Sequence, residues 1–222
     1  MLRLAALLMI LAHPAWSGAW PRDRGQWFVA TSVELRGYAV ADTVQDLSYY
    51  SSFYLEHGLT DRLTLGLNAG HGTSADTDVR AFLRMPVLSS GSRKLALELS
   101  VGKIDHKAYT GVGLQYGRGF EIGGRPAWFS VEGRVEHVVG EELAMDSKRQ
   151  GKFDVTLGMT HANDVKSMVQ VFNTEIDGTI YPTLATGLVV PLGGEFSLES
   201  GLLFDLIDGG RPGLKFGLWK AF

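Results

Sequence analysis

Apolar residues recur at every second position through most of this chain, in one run after another from about residue 26 to the last residue. A period of two marks a strand with one apolar face and one polar face. The clearest run sets Leu63, Leu65, Leu67 and Ala69 against Thr64, Gly66, Asn68 and Gly70. Earlier runs set Trp27, Val29, Val33 and Leu35 against Ala30, Ser32, Glu34 and Arg36, and Phe53 and Leu55 against Ser52, Tyr54 and Glu56. Later runs set Leu83 and Met85 against Arg80 and Arg84, Leu97 and Leu99 against Glu98 and Ser100, and Val112 and Leu114 against Gly113 and Gln115. The same alternation sets Phe129, Val131 and Val135 against Glu132, Arg134 and Glu136, Phe153 and Val155 against Asp154, and Leu198 and Leu202 against Glu199. The final run sets Leu214, Phe216 and Leu218 against Lys215, Gly217 and Trp219 and stops at Phe222. Residues 166–173 read both ways, because Met168 and Phe172 compete with Val169 and Val171 for the apolar face.

Turn-forming residues punctuate these runs at 58–62, 89–92, 123–126, 162–164 and 191–194, and longer polar connections fall near 41–43, 140–151 and 208–212. Glycine, proline, asparagine and aspartate supply the dihedrals that such reversals need. The pattern predicts about twelve antiparallel strands of roughly ten residues, the length of a tilted strand that crosses a bilayer. An apolar strand at a chain end is an open edge that invites pairing with other chains. Pairing the last strand with the first removes that edge. The expectation is therefore all-β: a single closed transmembrane barrel wound as an up-and-down meander, with both termini at one end because the strand number is even. A soluble sandwich would also alternate, but its strands are shorter, averaging about 5–6 residues.

The ending carried by Leu214, Phe216, Leu218 and Phe222 resembles the C-terminal signal strand of Gram-negative outer-membrane β-barrel proteins. That signal usually has an aromatic or apolar residue third from the end, where this chain has Lys220. The resemblance is to the general, porin-like class and selects no single family within it. It implies recognition by the barrel assembly machinery and surroundings of outer-membrane lipid and lipopolysaccharide.

Composition narrows the field. The 21 Lys and Arg against 24 Asp and Glu leave no basic surplus for nucleic acid. There is no cysteine, which excludes disulfides, thiolate metal sites and lipid attachment at a lipoprotein cysteine. At the start of the chain, Arg3, the apolar run 4–12 and the small residues Ser17, Gly18 and Ala19 read as a secretory signal peptide over residues 1–19, leaving 20–222 as the barrel. The apolar run is too short to span about 30 Å of hydrocarbon.

If the apolar face meets lipid, the polar face lines the lumen. Twelve charges fall on that face: Glu34, Arg36, Glu56, Arg80, Arg84, Glu98, Glu132, Arg134, Glu136, Asp154, Glu199 and Lys215. Trp128 and Trp219 share its parity. Mixed charges inside a barrel either cross-link it as buried ion pairs or face one another across water. The inward glycines, Gly66, Gly102, Gly117 and Gly158 among them, either relieve crowding or leave room for a pore. Neither cofactor nor metal is implied, since no ligand spacing or phosphate loop is present.

Three functions follow. The first is passive passage of small hydrophilic solutes through a narrow, charge-lined lumen. The second is a structural or interaction barrel plugged by its own salt bridges. The third is an outer-membrane lipid hydrolase, for which the available bases and nucleophiles are His161 with Asn163 and Ser167, or Asp105 and His106 near Asp76 and Asp78. His57, His71 and His137 stand alone in the sequence.

Overall fold

The computed structural model describes residues 18–40, 43–73, 77–104, 107–139, 149–176, 178–207 and 211–222. Twelve strands account for most of them: β1 (Trp27–Val40), β2 (Thr43–Thr60), β3 (Leu63–Gly72), β4 (Thr77–Ser90), β5 (Arg93–Ile104), β6 (Lys107–Ile122), β7 (Arg125–Val139), β8 (Arg149–Thr160), β9 (Lys166–Ile176), β10 (Thr179–Gly193), β11 (Phe196–Asp205) and β12 (Pro212–Ala221). Each pairs antiparallel with its sequence neighbour, and β12 returns to β1, so the sheet is a closed barrel with meander connectivity. The seam runs from Phe28 opposite Ala221 to Arg36 opposite Gly213. Beyond the last ladder pair, Trp27 N–H donates to Phe222 O at 2.7 Å and Phe222 N–H donates to Trp27 O at 3.0 Å. Closure leaves every strand with two partners, which is the condition for β structure in a lipid environment.

The strands run longer than the sequence pattern alone suggests, up to 18 residues in β2. At the end that carries both termini, β2–β3, β4–β5, β6–β7 and β10–β11 reverse through two residues, and β8–β9 reverses around a 3-10 turn at Ala162–Asp164. Register shifts at Gly58/Thr60, Pro86/Leu88 and Pro191/Gly193 sit beside three of these turns. Two involve proline, which cannot donate to the ladder and is accommodated where the ladder is broken.

Exposure divides the chain by parity. Val101, Val112, Leu114, Val135 and Phe153 are each more than half exposed on the outer face. Glu56, Glu98 and Glu136 on the inner face are at most 1% exposed. An apolar exterior wrapped around a charged interior inverts the water-soluble arrangement and is the order a membrane barrel requires. The register settles β9. Val169 is about half exposed while Met168 is buried, so Met168, Gln170 and Phe172 face inward and Val169 and Val171 outward.

The segment before β1 departs from its sequence reading as a polar lead-in. Ala19 is fully buried and Arg22 nearly so. Arg22 N–H donates to Thr64 Oγ1 at 3.0 Å. Gly25 N–H donates to Gly58 O, and Gly58 N–H to Gln26 O. The Trp20 ring lies against the inner face of β6 at Gly117 and packs with Trp128, Met168, Val189 and Trp219. Residues 18–25 therefore cross the mouth of the barrel at its terminal end, from β2 and β3 on one wall to β6 and β7 on the other.

Candidate functional site

The lumen is the site, and its walls are unequal. Along β2 to β7 the charges form a connected lattice. Glu56 is its first hub: it accepts from Arg22 Nε, Arg84 Nη1 and the Tyr54 hydroxyl, each at 2.5 Å. Glu98 is the second: it binds Arg84 at 3.0 Å, accepts from Gln115 Nε2 at 2.8 Å and pairs with Arg80, while Arg134 approaches to 4.0 Å. Arg134 in turn donates to Glu136 at 2.6 Å. Alternation produces this geometry directly. Arg84 lies opposite Glu98 across the β4–β5 ladder, and Arg80 lies four residues back on the same face.

On the seam side, Lys215 and the Trp219 indole N–H both reach Glu199 at 3.0 Å. Nearer the loop end, Arg36 bridges Glu34 and Asp205, and Thr183 donates to the same aspartate at 2.8 Å. The remaining two of the twelve sequence-selected charges, Glu132 and Asp154, make no ion pair among the described residues. They line a lumen cavity of about 300 Å³, together with Ser32, Asn68, Arg80, Gln170 and Trp219. A second cavity of about 340 Å³ lies at the loop end around Arg36, Thr183 and Asp205.

Aromatic side chains fill what the inward glycines vacate. A β-carbon on Gly66 would lie 1.9 Å from the Phe82 ring, and one on Gly158 would lie 2.1 Å from Trp128. Each pair sits directly opposite in register. Tyr109 over Gly102 repeats the device and donates to Asp78 at 3.0 Å. These glycines make room for rings and do not widen a pore. Phe82 also stacks on Tyr54 and lies beneath both Arg80 and Arg84, each guanidinium 4.9 Å from its ring centre, so the arginines are held by an aromatic face as well as by carboxylates.

The hydrolase candidates fare differently. His161 Nε2 and Ser167 Oγ come within 2.7 Å, as a base and a nucleophile would. Arg125 Nη1, however, meets Nδ1 of the same ring at 3.3 Å. A guanidinium can only donate, so Nδ1 must accept and Nε2 carries the proton toward Ser167. That tautomer cannot withdraw a proton from the serine. Asn163 takes a left-handed turn conformation with φ 57°. Asp76, Asp105 and His106 lie outside the described residues. His57 stacks on Trp27 at 3.9 Å, His71 bonds Thr77 at 3.2 Å, and His137 is exposed on β7. Among the described residues, no three metal-binding side chains converge.

Several lumen residues carried no sequence signal. Trp20 and Arg22 precede the first alternating run, and Phe82 is apolar at a polar parity. The outer residues of the terminal run do what their pattern implies. Leu214, Phe216 and Leu218 are exposed outward, and Phe222 is half exposed at the seam. Lys220 lies over the rings of Phe196 and Phe222, 5.1 and 4.3 Å from their centres.

Comparison of the sequence with protein-family models and with curated proteins finds no match. The three-dimensional structure does match solved structures. The chain superposes on the NanC porin with a TM-score of 0.68 at 8% identity, covering 86% of this chain and 98% of that one. The KdgM porin gives 0.63 at 8% identity, with 88% and 99% covered. This is the fold of a porin-like outer-membrane β-barrel. An outer-membrane channel from Pseudomonas putida F1 gives 0.53 at 15% identity over 93% and 99% of the two chains. Within that fold, this chain fills its lumen with aromatic rings and lays its amino-terminal segment across the mouth.

Proposed function

We propose that this protein resides in the outer membrane of a Gram-negative bacterium and is a narrow passive channel for small hydrophilic solutes. One observation carries the reading. The barrel encloses a polar cavity walled by Glu132, Asp154, Gln170 and Lys215 and bordered by Arg80 and Arg134 of the ion-pair lattice, while its exterior is apolar. Inside the barrel, Arg22 Nη2, Arg84 Nε, Ser100 Oγ and Gln115 Oε1 are buried without a hydrogen-bond partner among the described residues. Buried polar atoms of this kind are satisfied by ordered water, which suits a wet lumen. Solute passes along the wall formed by β7 to β12 and β1, and the Glu56–Arg84–Glu98 lattice fixes the opposite wall.

The lattice and residues 18–25 also favour a second reading, in which the barrel is permanently plugged and its loops do the binding. One measurement separates the two. Purified protein in planar bilayers should show small, discrete conductance steps in potassium chloride. Steps should also appear, and be larger, when Trp20 and Arg22 are both replaced by alanine. Correctly folded protein that conducts in neither form is a plugged barrel, and the channel reading is then wrong.

A further inference from the structure

We infer that the mature protein begins at Gly18, and that the α-ammonium created there is the counter-ion of Glu132 inside the lumen. The inference rests on the reading of this chain as exported, and goes beyond it by naming the processing site and the partner of the new terminus. Signal peptidase requires small residues one and three positions before the cut. Two registers satisfy that rule here: Ser17 with Ala19, which leaves Trp20 as the first residue, and Ala15 with Ser17, which leaves Gly18. The boundary expected from the sequence, after Ala19, is the first of these; the packing of residues 18 and 19 favours the second.

Gly18 and Ala19 are both buried within the barrel, and Ala19 has no exposed surface at all. A cut after Ala19 would discard two buried residues, one of them set against Glu132. It would also put the new positive charge on Trp20, whose ring is packed among Trp128, Met168, Val189 and Trp219. A cut after Ser17 puts the charge on Gly18 instead. An atom in the β-position of Gly18 would lie 2.6 Å from Glu132 Oε1. A terminal glycine has no preceding residue to hold its nitrogen, so rotation about the Cα–C bond swings the ammonium into that vacant direction. It then stands at the separation of a charge-assisted N–H···O contact.

Glu132 has the complementary need. It faces the lumen cavity, and it makes no ion pair among the described residues, while Glu56, Glu98, Glu136 and Glu199 each hold a cation. An unpaired carboxylate inside a barrel is unfavourable, and a matched ammonium removes that penalty. The pair ties the far end of residues 18–25 to β7, opposite the Arg22–Glu56 pair that ties the near end to β2.

The test uses the full-length chain expressed in a Gram-negative host and extracted from its outer membrane. Intact-mass and amino-terminal peptide measurements should give residues 18–222; a first residue of Trp20, or any other, overturns the proposal. The α-amine titrates well below lysine, so an amine-reactive reagent near neutral pH labels it selectively. In the folded wild type the Gly18 amine should react roughly tenfold or more slowly than after heat unfolding, since labelling must wait for local opening. In Glu132→Gln that protection should be largely lost. Equal labelling of folded and unfolded wild type would overturn the pairing even with cleavage at Gly18, and requires no variant to fold. Neither readout depends on conductance, so a non-conducting barrel leaves this inference standing.

Discussion

Removing the Glu98 carboxylate is the sharpest probe of the lumen. The side chain is 1% exposed and serves three arginines and a glutamine at once. Two of those arginines have other carboxylates: Arg84 keeps Glu56 and Arg134 keeps Glu136. Arg80 has no other carboxylate partner among the described residues and would be left over the Phe82 ring alone. Removing one partner of a buried pair costs about 3–5 kcal/mol, because the stranded charge remains. Burial this deep leaves no solvent screening to discount. Glu98→Gln retains the volume and a carbonyl acceptor, so it should fall at the low end of that range, and Glu98→Ala at the high end. At roughly 2–4 °C per kcal/mol for a chain of this size, the melting midpoint should drop by about 6–20 °C. The assay is tryptophan fluorescence or heat-modifiable gel migration of protein refolded into lipid vesicles. Adding Arg80→Ala to Glu98→Ala should recover about 1 kcal/mol or more, a coupling within the range for residues in direct contact. If both single variants stay within about 0.5 kcal/mol of wild type, the lattice is bathed in bulk water and its description as a buried structural wall is wrong.

Other outcomes follow from the same structure. Gly158→Leu should destabilise the barrel by about 1–3 kcal/mol through collision with Trp128, whereas Gly133→Ala, which meets nothing closer than 4.0 Å, should be nearly neutral in the same unfolding assay. Val112→Arg on the outer face should cost about 2–4 kcal/mol in vesicles if this part of β6 lies at mid-membrane, and much less in a charged detergent. Ser167→Ala and His161→Ala should leave phospholipid hydrolysis by the purified protein at the level of the wild type, since the His161 tautomer set by Arg125 cannot activate the serine; a drop on either substitution would refute that tautomer.

Most of the barrel was legible because alternation is a covalent property of a strand, and the outer surface must be apolar throughout. Ten of the twelve strands declared both faces this way. β9 did not, and the reason is inside the barrel. Near the terminal end the lumen has an apolar cluster of its own, formed by Trp20, Trp128, Met168, Val189 and Trp219, so Met168 and Phe172 are apolar and inward at once. Any reading that equates apolar with outside must fail there. The same cluster explains why Trp20 and Arg22 went unseen: their placement depends on a cavity assembled by strands distant in sequence. The glycines were visible, but their purpose was not, because the ring that occupies each space lies on the neighbouring strand, as with Gly66 and Phe82. The twelve charges share one parity, yet alternation is silent on which of them touch. Register and strand order decide that, and they leave Glu132 and Asp154 out of the lattice.

The seam has a consequence for the order of events in assembly. Trp27 and Phe222 exchange hydrogen bonds, so the ladder that closes the ring begins just after the stretch that lies inside it. Residues 18–25 are tethered to the very strand that must wait longest for its partner. They have the whole lifetime of the half-built, laterally open sheet in which to find Thr64 and Glu56, and the door shuts behind them.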